Sequence, residues 1–209
     1  LVRITVPDLP DEHAVLRELL TVLQAYPKLV LDWRRDTARL NVVQEQIDIG
    51  VRIGHLADSR LIARKIGETC EKIVMAPDLL RRLGKPKDFA DLQKNYPLAA
   101  VLNHNNGRAD TWYINENLQF TPAKPHFVGS HIHNALQAAL AGNAVSQQLD
   151  WMVAPYLLSG ELVELFAEVP KIRWPVSIYR PQRVVTPMRV KVVFDLLAGI
   201  LGKRFELPA

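Results

Sequence analysis

The sequence predicts an α/β protein built as two lobes, and three observations carry that prediction. Short runs rich in Ile and Val alternate with segments of helical periodicity, the pattern of a sheet covered by helices. The alternation restarts near Cys70, and a strand-like segment, "PVSIYRP", returns late in the chain, which calls for two strands crossing between the lobes near 70–76 and 175–180. With 209 residues, 48% of them hydrophobic, the chain can bury one large core or two smaller ones.

The first lobe is expected over 1–70 and 177–209. "LVRITV" opens it as a strand. In "DLPDEHAVLRELLTVLQAYP", Val15, Leu19, Val22 and Tyr26 recur at helical spacing, and Leu16, Leu20 and Leu23 widen the apolar stripe beyond what one sheet face needs. "KLVLDWR" is the next strand and "ARLNVVQEQ" a short helix. "IDIGVRI" and "LIARKI" have the β-branched richness of strands buried on both faces. Between them "GHLADSR" carries Gly54, Asp58 and Ser59, which belong to no core, and loops at strand ends are where α/β proteins hold ligands. "TPMRVKVVFDLLAGILGKRF" closes the chain as a long amphipathic helix with Val190, Phe194, Leu197 and Leu201 on one side.

The second lobe is expected over 71–176. "CEKIVMA" is a strand, and "PDLLRRLG" a helix with Pro77 in its first turn and Gly84 just past its end. "PKDFADL" is a turn with a short helix, and "PLAAVL", "TWYI", "HFVGS" and "ELVELF" are strands. "NALQAALAG" and "WMVAPYLLSG" are helices ending in glycine. "LNHNNGR" is a polar turn built on Asn and Gly.

Several function classes are excluded by what the sequence lacks. No apolar run approaches the roughly 20 residues that cross a bilayer, and no basic-then-apolar start resembles a signal peptide, so no membrane partner is expected. A single cysteine, Cys70, fits a reducing, cytoplasmic setting and packs as a small hydrophobe. The net charge of +4 is scattered rather than gathered into a basic, aromatic-interleaved face, so direct nucleic-acid binding by this segment is not expected. No metal motif, nucleophile elbow, P-loop or dinucleotide fingerprint is present, which argues against an enzyme and against a cofactor. His126, His131 and His133 are close in sequence but have no acidic neighbour there, and no metal site is expected from them. The chain begins at Leu1 directly inside a strand, as an excised domain or processed protein does.

The segments "ITVP", "YPKLVLDW", "IDIGVRIGHLADSRLIARKIG", "MAPDLLRRLGKPKDFADL", "TWYI", "VGSHIHNALQAALAG", "DWMVAPYLLSGELVELF" and "SIYRPQRVVTPMRVKVVFDLL" occur in the order of a known family. From about residue 2 to residue 201 the chain resembles the effector-binding domain of LysR-type transcriptional regulators. The resemblance implies the fold of type 2 periplasmic binding proteins: two Rossmann-like lobes with an effector-sized cleft between them. It also implies a homodimer or homotetramer, in which the first helix and second strand pack on a neighbour. DNA would be contacted only through a winged helix-turn-helix domain absent from this segment. Carried over by position, the residues touching a small polar or anionic effector are Pro7, Asp8 and Leu9, then Ile53, Gly54 and His55, then Gly129, Ser130 and Asn134, with Asn103 and His104 at the mouth. Effector binding would tilt or close the lobes and shift the regulator's assembly on DNA. A free-standing solute receptor of the same fold is the alternative.

The residues themselves offer plainer roles. Asp8 suits a cap on the first helix, with Asp11 strengthening its start, and Ser130 and Asn134 suit caps on the second-lobe helix beginning near His133. Arg52 sits inside a strand, where a structural ion pair is as natural as a ligand contact. Three departures from the family pattern bear on the ligand. "PDLPDEH" brings Asp8 and Asp11 where hydroxyls usually receive a carboxylate, so a dicarboxylate is expected to bind poorly. "AGNAVSQQL" puts Ala144, Ser146 and Leu149 at positions of Gly, Ala and Pro, so that loop is expected to take a different path. Gln46 also stands where the family has glycine.

Overall fold

A computed structural model describes residues 1–35, 46–56, 60–103, 106–182 and 185–205. The architecture is α/β, and the chain folds into two compact units, 1–69 with 174–209, and 70–173. The chain passes between them at Thr69/Cys70 and at Arg173/Trp174.

The first unit is a five-stranded sheet in the order β2-β1-β3-β12-β4, formed by β1 (Val2–Val6), β2 (Leu31–Arg35), β3 (Ile49–Ile53), β4 (Leu61–Thr69) and β12 (Trp174–Pro181). β1 runs parallel to β2 and β3, whereas β12 is antiparallel to β3 and β4. The sheet is therefore mixed, and the C-terminal ends of its parallel strands share one edge. Val2, Ile4, Val6, Ile49 and Ile178 are fully buried. Helix α6 (Met188–Phe205) packs on β4 and α1 (Glu12–Leu23), burying Val190, Phe194, Leu197 and Leu201 as the periodicity predicts. Gly50 faces Tyr179 across the β3–β12 pair, and a Cβ there would overlap the phenol ring.

Two expectations for this unit are corrected. The stripe α1 buries is Val15, Leu19 and Leu23, while Val22 and Tyr26 are 42% and 44% exposed. Val22 lies about 60° round the helix from Leu19 at the centre of that stripe, and Tyr26 falls in the turn after the helix, which ends at Leu23. "LIARKI" forms a strand but not a buried one: β4 is a sheet edge, four of its nine residues are exposed and Thr69 alone of them is buried. Arg64 pairs with Asp195 at 3.0 Å and Lys65 with Glu68 at 2.5 Å, charges that suit an edge and discourage pairing with another chain. Most of "ARLNVVQEQ" and of "ADSR" lies outside the described residues; Gln46, within them, has φ 52°, the left-handed region that a glycine would adopt freely.

The second unit contains an antiparallel sheet, β10-β5-β11, from β10 (Ser146–Leu149), β5 (Glu71–Met75) and β11 (Val163–Leu165). It also contains a parallel pair, β6 (Ala99–Val101) with β9 (Phe127–Gly129), and a hairpin, β7 (Trp112–Asn115) with β8 (Leu118–Phe120). The helices are α2 (Pro77–Leu83), α3 (Phe89–Asn95), α4 (Ile132–Leu140) and α5 (Asp150–Ser159). Pro77 opens α2, and Asp88 caps α3 by accepting from the Asp91 N–H at 2.7 Å. The core gathers Ile73, Met75, Leu79, Leu92, Trp112, Phe120 and Phe166, with the Phe89 and Phe166 rings 4.2 Å apart. A separate seam of Ala99, Ala135, Ala138 and Ala144 lets α4 lie close against β6 and β10.

Within "AGNAVSQQL" the chain turns over 141–143 and then enters β10 at Ser146. Ala144 has no positive φ; the left-handed position is Gly142, at φ 68°. All of Ser146–Leu149 is buried, and the glutamine amide nitrogens find acceptors: Gln147 Nε2 donates to the Tyr113 carbonyl at 2.9 Å, and Gln148 Nε2 to the Ile132 carbonyl at 3.2 Å and to Ser146 Oγ at 2.7 Å, while Gln148 Oε1 has no hydrogen-bond partner among the described residues.

Candidate functional site

In the first unit the expected residues lie at the C-terminal edge of the parallel strands. Pro7, Asp8 and Leu9 follow β1; Arg35 ends β2 directly beside Val6; Ile53 ends β3 and leads into Gly54 and His55. Gly54 adopts φ 99°, open to glycine and costly for other residues, and its N–H donates to the Pro175 carbonyl at 2.8 Å. The His55 ring meets Trp174 edge-on at 6.4 Å between centroids.

Asp8 is not a helix cap. α1 begins at Glu12, its N-cap residue is Asp11 in the left-handed conformation, and no side chain caps it. Asp8 is instead 5% exposed and pairs with Arg35, whose Nη1 lies 3.5 Å from Oδ1. The same guanidinium bonds Glu12, and Arg204 lies 3.8 Å from Asp11. The acidic loop thus carries its own cations, which weakens the repulsion expected from Asp8 and Asp11. Arg35 was not singled out from the sequence; only the β1–β2 register, which sets Arg35 beside Val6, reveals it. Thr5, also missed, is 4% exposed, and its Oγ1 has no hydrogen-bond partner among the described residues.

In the second unit Gly129 ends β9, Ser130 follows it and Asn134 lies in the first turn of α4. A Cβ on Gly129 would sit 2.7 Å from Asn134 Cβ, so glycine is what lets the first turn of α4 fold back on the strand end. The N-cap position belongs to His131 and no side chain caps the helix, so neither Ser130 nor Asn134 has the capping role that its residue type suggests; both are exposed. The first N–H groups of a helix have no intrahelical acceptors and carry the positive end of its dipole, a device for holding an anionic or oxygen-rich group. Gln148, buried beneath, fixes this turn through the Ile132 carbonyl.

Asn103 is tied into its own turn. Its Nδ2 donates to Asp110 Oδ1 at 2.9 Å, and its carbonyl accepts from Asn106 and Gly107, which organises the polar turn. His104 lies outside the described residues.

Two further titratable groups belong to the second unit. Burial alone would raise the Glu164 carboxyl, but hydrogen bonds from Lys72 at 2.7 Å and from Lys171 outweigh it and hold the group below its ordinary value. Cys70 is buried, and its Sγ donates to Asp150 Oδ2 at 3.4 Å. Burial, and then the Asp150 carboxylate, push its thiol up from 9.0 to about 11. A thiol raised in the folded state contributes stability that is complete below its unfolded value and is lost as pH climbs from about 9 through about 11. At pH 7 the thiolate is then negligible, and Cys70 should resist a thiol reagent until the protein unfolds. Reaction rates measured from pH 7 to 11 with and without denaturant check this; fast labelling of folded protein at pH 7 would contradict it.

Over residues 1–201 the chain matches the family described as LysR substrate binding domain. It is 26% identical over 182 residues to an HTH-type transcriptional regulator of Xanthomonas campestris, covering 85% of this chain and 52% of the relative. It is also 26% identical to the HTH-type transcriptional regulator CrgA of Neisseria meningitidis, covering 86% of this chain and 60% of that protein. The chain therefore spans between half and two thirds of the length of these relatives. Among solved structures, the regulatory domain of AphB from Vibrio vulnificus superposes with a TM-score of 0.77 at 19% identity, covering 95% of this chain and 98% of that one. The CrgA regulatory domain does so with a TM-score of 0.74 at 21% identity, covering 96% and 98%. No described helix is long and apolar enough to cross a membrane. With its fold shared by these regulatory domains and its sequence matched almost end to end, the chain belongs to the LysR substrate binding domain family.

Proposed function

We propose that this chain is the effector-binding and oligomerisation domain of a LysR-type transcriptional regulator, working in the cytoplasm and performing no chemistry on its ligand. The observation that carries the reading is the start of α4: an N-terminus without a side-chain cap, with Ser130 and Asn134 exposed beside it and Gly129 letting the first turn of the helix fold back on the strand end. The resemblance to the family adds Pro7, Leu9, Ile53, Gly54 and His55 as residues expected to touch the effector. The effector is a small polar molecule bearing one carboxylate or a similar oxygen-rich group. Ligand binding moves a regulator between states only through its different affinity for them, so the effector acts by shifting the full-length protein's assembly on DNA. DNA recognition itself is assigned to sequence outside these 209 residues.

Calorimetry against a panel of mono- and dicarboxylates tests the reading. A monocarboxylate should bind, and Asn134→Ala should weaken it about tenfold, the loss of one charge-assisted hydrogen bond. Asp8→Ser removes the carboxylate that Arg35 now faces and should tighten carboxylate binding several-fold. No binding across the panel, or binding indifferent to both substitutions, would sink the proposal.

The same reading includes self-association through α1. Leu23 is committed to the unit's own core and Leu16 is partly covered, which leaves Leu20 at 49% and Val22 at 42% exposure as the surplus apolar surface. Light scattering at tens of micromolar should give a dimer or tetramer, reduced to monomer by Leu20→Lys with Val22→Glu. A wild-type monomer at that concentration would overturn the assignment.

A further inference from the structure

We propose that the first unit carries a second binding site, unrelated to the effector loops, for a medium-chain carboxylate such as decanoate. Between the turn after α1 and the first turn of α6 lies a groove of about 540 Å³. That volume falls within the range of about 300–1,000 Å³ typical of sites for small organic ligands. Tyr26, Leu29, Met188 and Val192 form apolar walls, and Lys28 and Arg189 supply cations at the same groove. Met188 is 71% exposed and Tyr26 44%, so the apolar surface stands open to solvent.

The charges decide what the groove takes. Arg189 donates through Nε to the Leu1 carbonyl at 3.2 Å, and no carboxylate of the described residues pairs with it or with Lys28. A second protein chain laying an apolar face here would strip water from two uncompensated cations, at a cost of several kcal/mol per buried ion. A neutral apolar molecule would leave the same cations unanswered. An amphiphile with an alkyl body and one carboxylate satisfies both features: the chain covers Tyr26, Met188 and Val192, and the head group bonds the guanidinium and ammonium.

Methionine methyl NMR tests this on the intact chain. Of the three methionines, Met75 and Met152 are buried and Met188 lines the groove, so its methyl resonance is a local reporter. Sub-micellar decanoate should shift the Met188 signal saturably while Met75 and Met152 stay in place. Lys28→Glu with Arg189→Glu should weaken the interaction at least tenfold, decanol should bind at least tenfold more weakly than decanoate, and Val192→Trp should block the groove. The proposal fails if no saturable shift occurs, if decanol matches decanoate, or if all three methionines respond together. It also fails if the Met188 signal moves with protein concentration alone, which would identify a second copy as the occupant.

Discussion

Replacing Asp150 with alanine should destabilise the domain by about 3 kcal/mol, the expected consequence of leaving buried donors without their charged acceptor. Asp150 opens α5 and gathers both ends of the second unit. It accepts from the Cys70 N–H at 3.3 Å and the Cys70 thiol at 3.4 Å, and from the Trp151 N–H at 2.8 Å, with Arg173 Nη1 4.0 Å away. Its own N–H donates to the Cys70 carbonyl at 2.9 Å. Its negative charge in the first turn of α5 also complements the helix dipole. Urea unfolding measures the effect; Asp150→Asn, which keeps an acceptor but not the charge, should lose roughly half as much. A loss below about 0.5 kcal/mol for the alanine variant would show that these contacts are incidental.

Much of this fold was legible because its elements obey local rules. β1, β3 and β5 are concentrated in Ile and Val, α2 carries Pro at its start and Gly at its end, and α6 keeps one apolar side over its whole length. What escaped the sequence was set by partners distant along the chain. β10 reads "SQQL", polar at three of four positions, yet it is wholly buried because Tyr113 and Ile132, on other elements, offer carbonyls to its glutamines. β8, "LQF", is a strand through its pairing with β7. The burial of β4 was overestimated because β-branched content does not distinguish a central strand from an edge strand carrying Arg64 and Lys65.

The candidate site divides in the same way. Glycines at strand ends announced themselves, and Gly54 and Gly129 do what only glycine can at their positions. Asp8 and Asn103 did not: an Asp before a helix suggests a cap and an Asn in a polar loop suggests an exposed donor. The structure gives Asp8 to Arg35 and Asn103 to Asp110. Both partners become visible only once strand register and turn geometry are known.

Gly129→Val should cost the domain its effector binding. A branched side chain cannot share space with Asn134, whose Cβ would lie 2.7 Å from the new Cβ, so the first turn of α4 must move off the strand end. Overpacking of this kind costs about 1–3 kcal/mol, which leaves a domain of ordinary stability folded, while carboxylate affinity should fall at least tenfold. Gly129→Ala should fall between wild type and valine. Calorimetry together with circular dichroism separates the two effects, since a folded variant that binds as tightly as wild type would remove Gly129 from the site.

The most direct test of the central claim is an amide NMR titration of the chain with the carboxylate panel. Effector binding at the start of α4 predicts saturable shifts concentrated on the backbone amides of residues 129–134, joined by those of 7–9 and 53–55, with the Asn134→Ala variant showing a weaker response at the same residues. Saturable binding that leaves the amides of 129–134 unmoved, or no saturable shift there with any carboxylate tested, would contradict the account.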